Sequence, residues 1–330
     1  INIPKAAIDI LAEGNVKTVE ITSPVATIVF DEEAISAICS QATEDVEIIS
    51  VKVDPSDLSD DIRAKVGDRP VYDFSVKSGD KTISEFGGNV TVTVPYTLKA
   101  GEDPNAVVIY FINDQGDLEI VRNCVYDPST GTISFRTDHF SKYMVGYNKV
   151  AFNDVAANSW YYDAVTFIAA RRITEGTGNG NYSPAEDLTR GQFIVMLMRA
   201  YGLEPDADPT DNFADAGNTY YTGYLAAAKR LGISAGIGNN LFGPELKITR
   251  QEMFTLLYNI LKHLDEFPEG TSGKTVSEFS DAGSIASWAK EAMSLFVKTG
   301  VIKGDGNKLK PVDNANRAEI AQILYSLLTR

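Results

Sequence analysis

Three short segments of this chain are copies of one another, and they constrain the fold more than any other feature. They are Leu188-Thr189-Arg190-Gly191-Gln192-Phe193, Ile248-Thr249-Arg250-Gln251-Glu252-Met253 and Ala315-Asn316-Arg317-Ala318-Glu319-Ile320. Each has Thr or Asn, then Gln or Glu three residues later, then an apolar run. This is the signature of a capping box, in which the first side chain accepts from an N–H of a new helix and the later one reaches back to the cap's own N–H. Each copy also places an Arg just inside the helix start, where the dipole disfavours a cation. A lone Arg there needs no account. Three in register do, and anion binding supplies one.

The repetition extends well beyond the box. Each copy opens with Phe-x-Asp, at Phe152-Asn153-Asp154, Phe213-Ala214-Asp215 and Phe279-Ser280-Asp281. An aromatic follows: Trp160, Tyr220 or Trp288. Ile173, Ile233 or Val301 comes 13 residues later, and Gly176, Gly236 or Gly304 three beyond that. A Gly/Asn-rich loop leads to Pro184, Pro244 or Pro311, and the box Arg lies six residues further on. The third loop, Gly304-Asp305-Gly306-Asn307, is one residue shorter. Each copy reads as helix–loop–helix. The first helix starts near the aromatic, and in the third copy Trp288, Ala292, Leu295, Phe296 and Thr299 are expected on one face. The second carries Phe193, Ile194, Leu197 and Met198 in the first copy and Ile320, Ile323, Leu324 and Leu327 in the third. One such pair cannot bury its apolar face alone, so three should pack together with approximate three-fold symmetry. Residues 202–212 and 264–277, rich in Pro, Gly, Asp and Glu, read as linkers, which places the repeats at 150–203, 211–264 and 277–330.

These features resemble the S-layer homology domain in three tandem copies, over essentially all of residues 151–330. The resemblance implies an all-α pseudo-trimer with ligand grooves between neighbouring repeats. It implies a non-covalent anchor for exported proteins on the bacterial wall, its ligand a secondary cell-wall polysaccharide, commonly with a pyruvate ketal. The physics agrees, because a ketal-pyruvate is a carboxylate on a sugar. A helix N-terminus offers unused N–H groups to such an anion, an Arg beside it adds a forked contact, and an aromatic offers a face to the sugar ring. Carried over residue by residue, the ligand-binding candidates are Arg190, Arg250 and Arg317, with Trp160, Tyr220 and Trp288, Asp154, Asp215 and Asp281, and Gly176, Gly236 and Gly304. Each set also has a structural reading. The Arg can form inter-repeat salt bridges, the Asp can cap a helix or brace the Arg, the aromatics can be core, and the glycines can be turn-makers. Departures from the family pattern fall at Gly191 and Gln192, where Ala and Glu are usual, at Asn316, and at Tyr220, which stands for Trp and is expected to weaken its groove.

Residues 1–149 read as a β-rich α+β module. A short amphipathic helix from Ile3 to Glu13 leads to strands at 16–22 and 25–30. A helix opens on Asp31-Glu32-Glu33 and runs through Ala42, and Val46 to Val53 returns to strand. From Pro70 on, strands alternate with turns: 71–76, 90–94, a hairpin of 106–112 and 117–122 about Asn113-Asp114-Gln115-Gly116, another of 124–126 and 132–136, and 142–147. The residues Phe30-Asp31, Val94-Pro95-Tyr96, Gly101-Glu102-Asp103-Pro104-Asn105-Ala106, Tyr126-Asp127 and Thr137 to Tyr143 make this part similar to a module that often precedes wall-anchoring repeats in surface proteins of Firmicutes. That likeness implies a spacer or structural role. His139-Phe140-Ser141 also matches the triplet at which some β-rich domains cleave themselves, the Ser141 hydroxyl attacking the preceding carbonyl with His139 assisting. Its structural reading, favoured here, is a turn with Phe140 in the core.

The composition removes several function classes. Net charge is −15. The first 150 residues hold 13 basic against 24 acidic side chains and the remainder 17 against 21, so neither part offers a basic stripe to nucleic acid or anionic lipid. No apolar run is long enough to span a membrane. The first residues do not form a signal peptide, so the chain reads as a mature product or an excised piece, and the extracellular, cell-surface location is what the resemblance implies. Two His and two Cys, scattered, cannot make the usual zinc sites, and no metal or cofactor is expected. Cys39 and Cys124 are either bridged or free thiols. No nucleophile elbow, paired-carboxylate motif or metal motif stands out, so a binding role rather than an enzyme is expected. A self-assembling surface lattice, or the anchored part of a larger surface enzyme, are the competing readings.

Overall fold

A computed structural model describes residues 1–14 and 16–330, and the chain divides into two units, Ile1–Lys149 and Val150–Arg330.

The first unit holds β1 (Asn2–Ile3), α1 (Lys5–Glu13), β2 (Thr18–Thr22), β3 (Thr27–Asp31), α2 (Glu32–Gln41), β4 (Val46–Lys52), α3 (Asp60–Val66), β5 (Val71–Ser78), β6 (Lys81–Ile83), β7 (Glu85–Pro95), β8 (Val107–Ile112), β9 (Leu118–Val121), β10 (Val125–Asp127), β11 (Thr132–His139) and β12 (Lys142–Tyr147). One sheet runs β1-β4-β5-β12-β8-β9 with β6 beside β5, the other β10-β11-β7-β3-β2, and neighbours are antiparallel throughout. Alternation in β7 and β11 sends Val90, Val92, Val94, Ile133 and Phe135 inward, each at most 1% exposed. An aromatic cluster joins the sheets: Phe135 meets Tyr143 at 4.6 Å between ring centres, and Phe140 meets Phe86 at 4.8 Å and Phe74 at 5.6 Å. The short helix α3 and the strand β6 are not read from the sequence.

The residues that carry the likeness of this unit to wall-protein modules have structural work. Asp31 caps α2 by accepting from Ala34 N at 2.8 Å and also takes Asn89 N at 2.6 Å, tying β7 to the helix start. A Cβ on Gly88 would lie 2.3 Å from that carboxylate, so only glycine fits. Asp103 caps the short turn Pro104–Ala106.

In the second unit the helices are α4 (Tyr162–Ala170), α5 (Arg190–Ala200), α6 (Thr222–Arg230), α7 (Arg250–Leu264), α8 (Lys290–Lys298) and α9 (Arg317–Leu328). All three boxes form, with Gln192, Glu252 and Glu319 reaching back to the cap N–H at 3.0, 2.8 and 3.2 Å. Packing follows a rule that the repeat boundaries do not suggest. The first helix of each repeat lies on the second helix of the preceding repeat: α6 on α5, α8 on α7, and α4 back on α9. Phe254 meets Phe296 and Phe167 meets Tyr325 across two of these contacts, at 5.5 and 5.2 Å. At the centre the backbone closes a ring. Leu188 N donates to Ala315 O at 3.2 Å, Ala315 N to Ile248 O at 3.0 Å, and Ile248 N to Leu188 O at 3.0 Å. All three residues are fully buried, so each repeat supplies one side of a core that none could bury alone.

Trp288 does not share the core face of α8, which is Ala292, Met293, Phe296 and Val297. It sits in the 3-10 turn before the helix and is 55% exposed.

Candidate functional site

The box arginines lie where one repeat meets the next. Arg190, on the first turn of α5, donates Nε to Phe242 O at 2.9 Å, and its guanidinium lies 4.8 Å from the Phe242 ring centre. Arg250 donates Nε to Leu309 O at 3.1 Å, and Arg317 to Tyr182 O at 2.6 Å. Each therefore reaches into the loop of the following repeat, and the third reaches the first. Arg190 and Arg317 are each 4% exposed. Burial pulls Arg190 below its ordinary pKa, against the upward pull of Glu252, though a guanidinium remains charged.

One expectation is corrected here. The first N–H groups of these helices do not wait for an anion. Arg190 N and Gly191 N donate to Leu246 O and Pro244 O, both at 2.8 Å. Arg250 N and Gln251 N donate to Asp313 O and Pro311 O, and Arg317 N and Ala318 N to Glu186 O and Pro184 O, at 2.9 to 3.0 Å. The orphan donors of each helix are satisfied by the neighbouring repeat. Any anion must be met by side chains.

The Asp of Phe-x-Asp takes a third role beside the two the sequence leaves open. Asp215 accepts from Phe242 N at 2.8 Å and Gly243 N at 2.7 Å. Asp154 grips Tyr182 N and Ser183 N, and Asp281 grips Leu309 N and Lys310 N, in the same fork. The residue whose N–H binds the Asp is the one whose C=O binds the Arg. One peptide strand thus links anion to cation, and the Asp braces the Arg indirectly by fixing that strand. Burial pushes Asp281 upward, but the two amide donors outweigh it and hold its carboxyl below the ordinary value.

Gly176, Gly236 and Gly304 adopt φ of +80°, +77° and +78°. A Cβ on Gly236 would meet Leu241 O at 2.2 Å and the Phe213 ring at 2.8 Å. These glycines seat the Phe of Phe-x-Asp under the loop and are turn-makers first. Trp160, Tyr220 and Trp288 are 62%, 60% and 55% exposed, so the core reading of the aromatics fails.

Two grooves gather these parts. In one, of about 490 Å³, Arg190 comes from the first repeat, Ser234 to Ile237 and one face of α7 (Glu252, Thr255, Leu256, Asn259) from the second, and Trp288 from the third. The other, of the same volume, is its cyclic counterpart: Arg317, then Ile173 to Thr177 with Gln192, Val195, Met196 and Arg199 of α5, then Tyr220. All three repeats contribute to each. The sequence reading misses two groove-lining polar residues nine places after the box Arg, Arg199 and Asn259, although polar side chains on an otherwise apolar helix are a visible signal.

His139 and Ser141 are not brought into a catalytic pair. The His139 ring contacts Asp138, Thr137, Phe111 and Tyr143, and Ser141 O accepts from Phe74 N at 3.1 Å, within the sheet. Phe140 is 9% exposed, in the aromatic cluster. Cys39 and Cys124 are unbridged. Cys124 is buried and Cys39 donates to Asp9 Oδ1 at 3.1 Å. Among the described residues no group of His, Cys, Asp and Glu could hold a metal ion, and no helix is long and apolar enough to cross a membrane.

A family model for the S-layer homology domain matches residues 151–194, 212–254 and 278–321. The second unit carries three S-layer homology domains. Such domains mark wall-binding proteins of the cell surface. The chain is 34% identical over 258 residues to an amylopullulanase of Thermoanaerobacterium thermosulfurigenes, covering 76% of this chain and 14% of that protein. It is 34% identical over 183 residues to the exoglucanase XynX of Acetivibrio thermocellus, covering 55% and 16%. It is 31% identical over 173 residues to the S-layer protein sap of Bacillus anthracis, covering 52% and 20%. The chain thus spans a fifth or less of the length of these relatives. The first alignment is longer than the three S-layer homology domains together, so it also takes in part of the first unit.

Proposed function

We propose that the three S-layer homology domains form a pseudo-trimer that anchors an exported protein non-covalently to the bacterial cell wall, by binding a secondary cell-wall polysaccharide bearing pyruvate ketals. One observation carries this reading: each groove combines a buried guanidinium from one repeat with an exposed aromatic from another. A carboxylate-bearing sugar needs both, a cation for the acid and a flat apolar face for the ring. The cyclic helix packing supports the pseudo-trimer. Repetition of the groove lets one polymer chain occupy more than one site, with a gain in avidity. The chain itself acts as an anchor and not as an enzyme.

Pull-down on purified wall sacculi tests this. Binding should fall at least tenfold for Trp160→Ala, Tyr220→Ala and Trp288→Ala combined, and after chemical removal of pyruvate. Undiminished binding in both would overturn the reading. The exposed aromatics are the right targets, because Arg190 and Arg250 also hold the repeats together.

A second reading adds to the first. Two of the relatives are named as an amylopullulanase and an exoglucanase, each several times longer than this chain, which favours a role as the anchoring part of a larger surface enzyme. The S-layer relative favours a lattice protein instead. Sheet assembly by the purified chain without wall material would decide for the lattice.

A further inference from the structure

The grooves differ at one place where the fold does not require it. The residue three after the cap is Glu252 or Glu319 in two repeats and Gln192 in the first. The cap is indifferent to this change, since all three side chains reach back to the cap N–H. The arginine beside it is not. Arg190 Nη1 donates to Glu252 Oε1 at 2.8 Å, and Arg250 Nη1 lies 3.5 Å from Glu319 Oε1. Beside Arg317 the corresponding place in the groove is held by Gln192, and among the described residues Arg317 forms no ion pair. Its partners are neutral oxygens, Tyr182 O through Nε and Thr174 Oγ1 through Nη2 at 3.3 Å. It is nonetheless 4% exposed. Arg199 brings a second guanidinium to the same groove, where the second groove has Asn259. Its guanidinium donates to the Tyr224 hydroxyl at 3.2 Å and, among the described residues, forms no ion pair. Glu175 and Glu186 also line this groove, but both are exposed and neither is ion-paired to Arg317 or Arg199, so water and salt screen them.

We propose that the first-repeat groove is the principal anion site of the module, and that Gln192 makes it so. A carboxylate entering it faces two guanidinium groups and displaces none of their acids. A carboxylate entering the second groove must compete with Glu252 for Arg190 and sit beside that half-buried acid, which like-charge repulsion opposes. Glu252 and Glu319 therefore occupy the place of a ligand carboxylate, and their grooves select uncharged sugar units. This rests on the reading that the grooves take an acidic glycan, and it reverses the expectation that Tyr220 marks the weak groove.

Calorimetric titration of the full chain tests it, with a methyl hexoside carrying a 4,6-linked pyruvate ketal as probe and its methyl ester as the neutral control. The acid should bind at one site, about tenfold or more tighter than the ester, a difference that corresponds to about 1.4 kcal/mol. Gln192→Glu installs the residue the other two copies already carry, so the cap persists. It should lower affinity for the acid about tenfold and leave the ester nearly unchanged. Glu252→Gln should raise the number of acid sites from one to two. Unchanged acid affinity in Gln192→Glu, or three equivalent acid sites in the unaltered chain, would overturn the ranking of the grooves and leave the anchor reading standing. An unaltered chain that binds wall sacculi but not the acid would overturn both the pyruvate reading and this inference.

Discussion

The two units each bury arginine, and they treat it differently. In the first unit Arg69 is closed in. Its Nη2 lies 2.5 Å from Glu102 Oε1 and its Nη1 donates to the Tyr96 hydroxyl, while Glu102 also accepts from that hydroxyl at 2.7 Å and from Lys99 N at 3.0 Å. Tyr96 and Tyr147 flank the guanidinium. The phenol is pushed far above its ordinary pKa by burial and by the adjacent carboxylate, so it stays a donor at all working pH. In the second unit each box arginine spends Nε on a carbonyl of the next repeat, and Arg190 and Arg317 also line a groove. A cation whose partners are complete holds the fold, and one whose partners are incomplete is available to a ligand.

That contrast predicts a ranking of damage. Glu102→Ala should have the largest effect, because it leaves a mostly buried guanidinium without its acid. The loss is expected at about 3–5 kcal/mol, measured by urea unfolding of the first unit. A loss below about 1 kcal/mol would mean that Arg69 is effectively solvated, and the contrast between the units would collapse. Asp215→Ala comes next. It orphans two backbone N–H groups and frees the strand that presents Phe242 O to Arg190, at a cost of about 2–4 kcal/mol. The second unit should lose stability while the first does not.

Acid provides a test without mutation. Tyr96, Lys99 N and Arg69 outweigh burial and hold Glu102 below its ordinary value, and two amides do the same for Asp281. A carboxyl with a depressed folded pKa stabilises fully above its unfolded value, near 4. That stability is lost as pH falls through the folded value. Both units should therefore weaken below about pH 4, by separate groups. Glu102→Gln should flatten the acid limb of the first unit alone. An unchanged limb would show that the pair does not form in solution.

How much of this was legible depends on which atoms carry the signal. The helices of the second unit were, because capping and apolar periodicity are written in side chains. The seams between repeats were not. They are made by backbone carbonyls of residues 182–186, 242–246 and 309–313, which accept whatever their side chains are, so the sequence cannot show that the helix N–H groups are already taken. The Asp fork was missed for the same reason, its partners being amides about 28 residues away. Exposure of the three aromatics was invisible because a Trp beside a helix start reads equally as core. In the first unit the strands followed from alternation, whereas α3 offers only Ile62, Ala64 and Val66 as apolar residues, too few to declare a period. Its signal was Ser59 followed by Asp60 and Asp61, a cap with acids in the first turn.

The smallest effect bears on how tightly the repeats are joined. Gly191 sits in the first turn of α5, and its N–H donates to Pro244 O of the next repeat at 2.8 Å. A Cβ there would lie 3.0 Å from that oxygen and 3.0 Å from the Tyr221 ring, close enough to require a shift of a few tenths of an ångström. Against this, Ala is about 1 kcal/mol better than Gly inside a helix. The third repeat shows that the contact accommodates Ala, since Ala318 N makes the equivalent bond to Pro184 O at 3.0 Å. Gly191→Ala should therefore raise the stability of the second unit by less than about 1 kcal/mol, seen as a small rise in Tm. A fall of comparable size would mean that the seam between the first two repeats is more rigid than the seam between the third and the first.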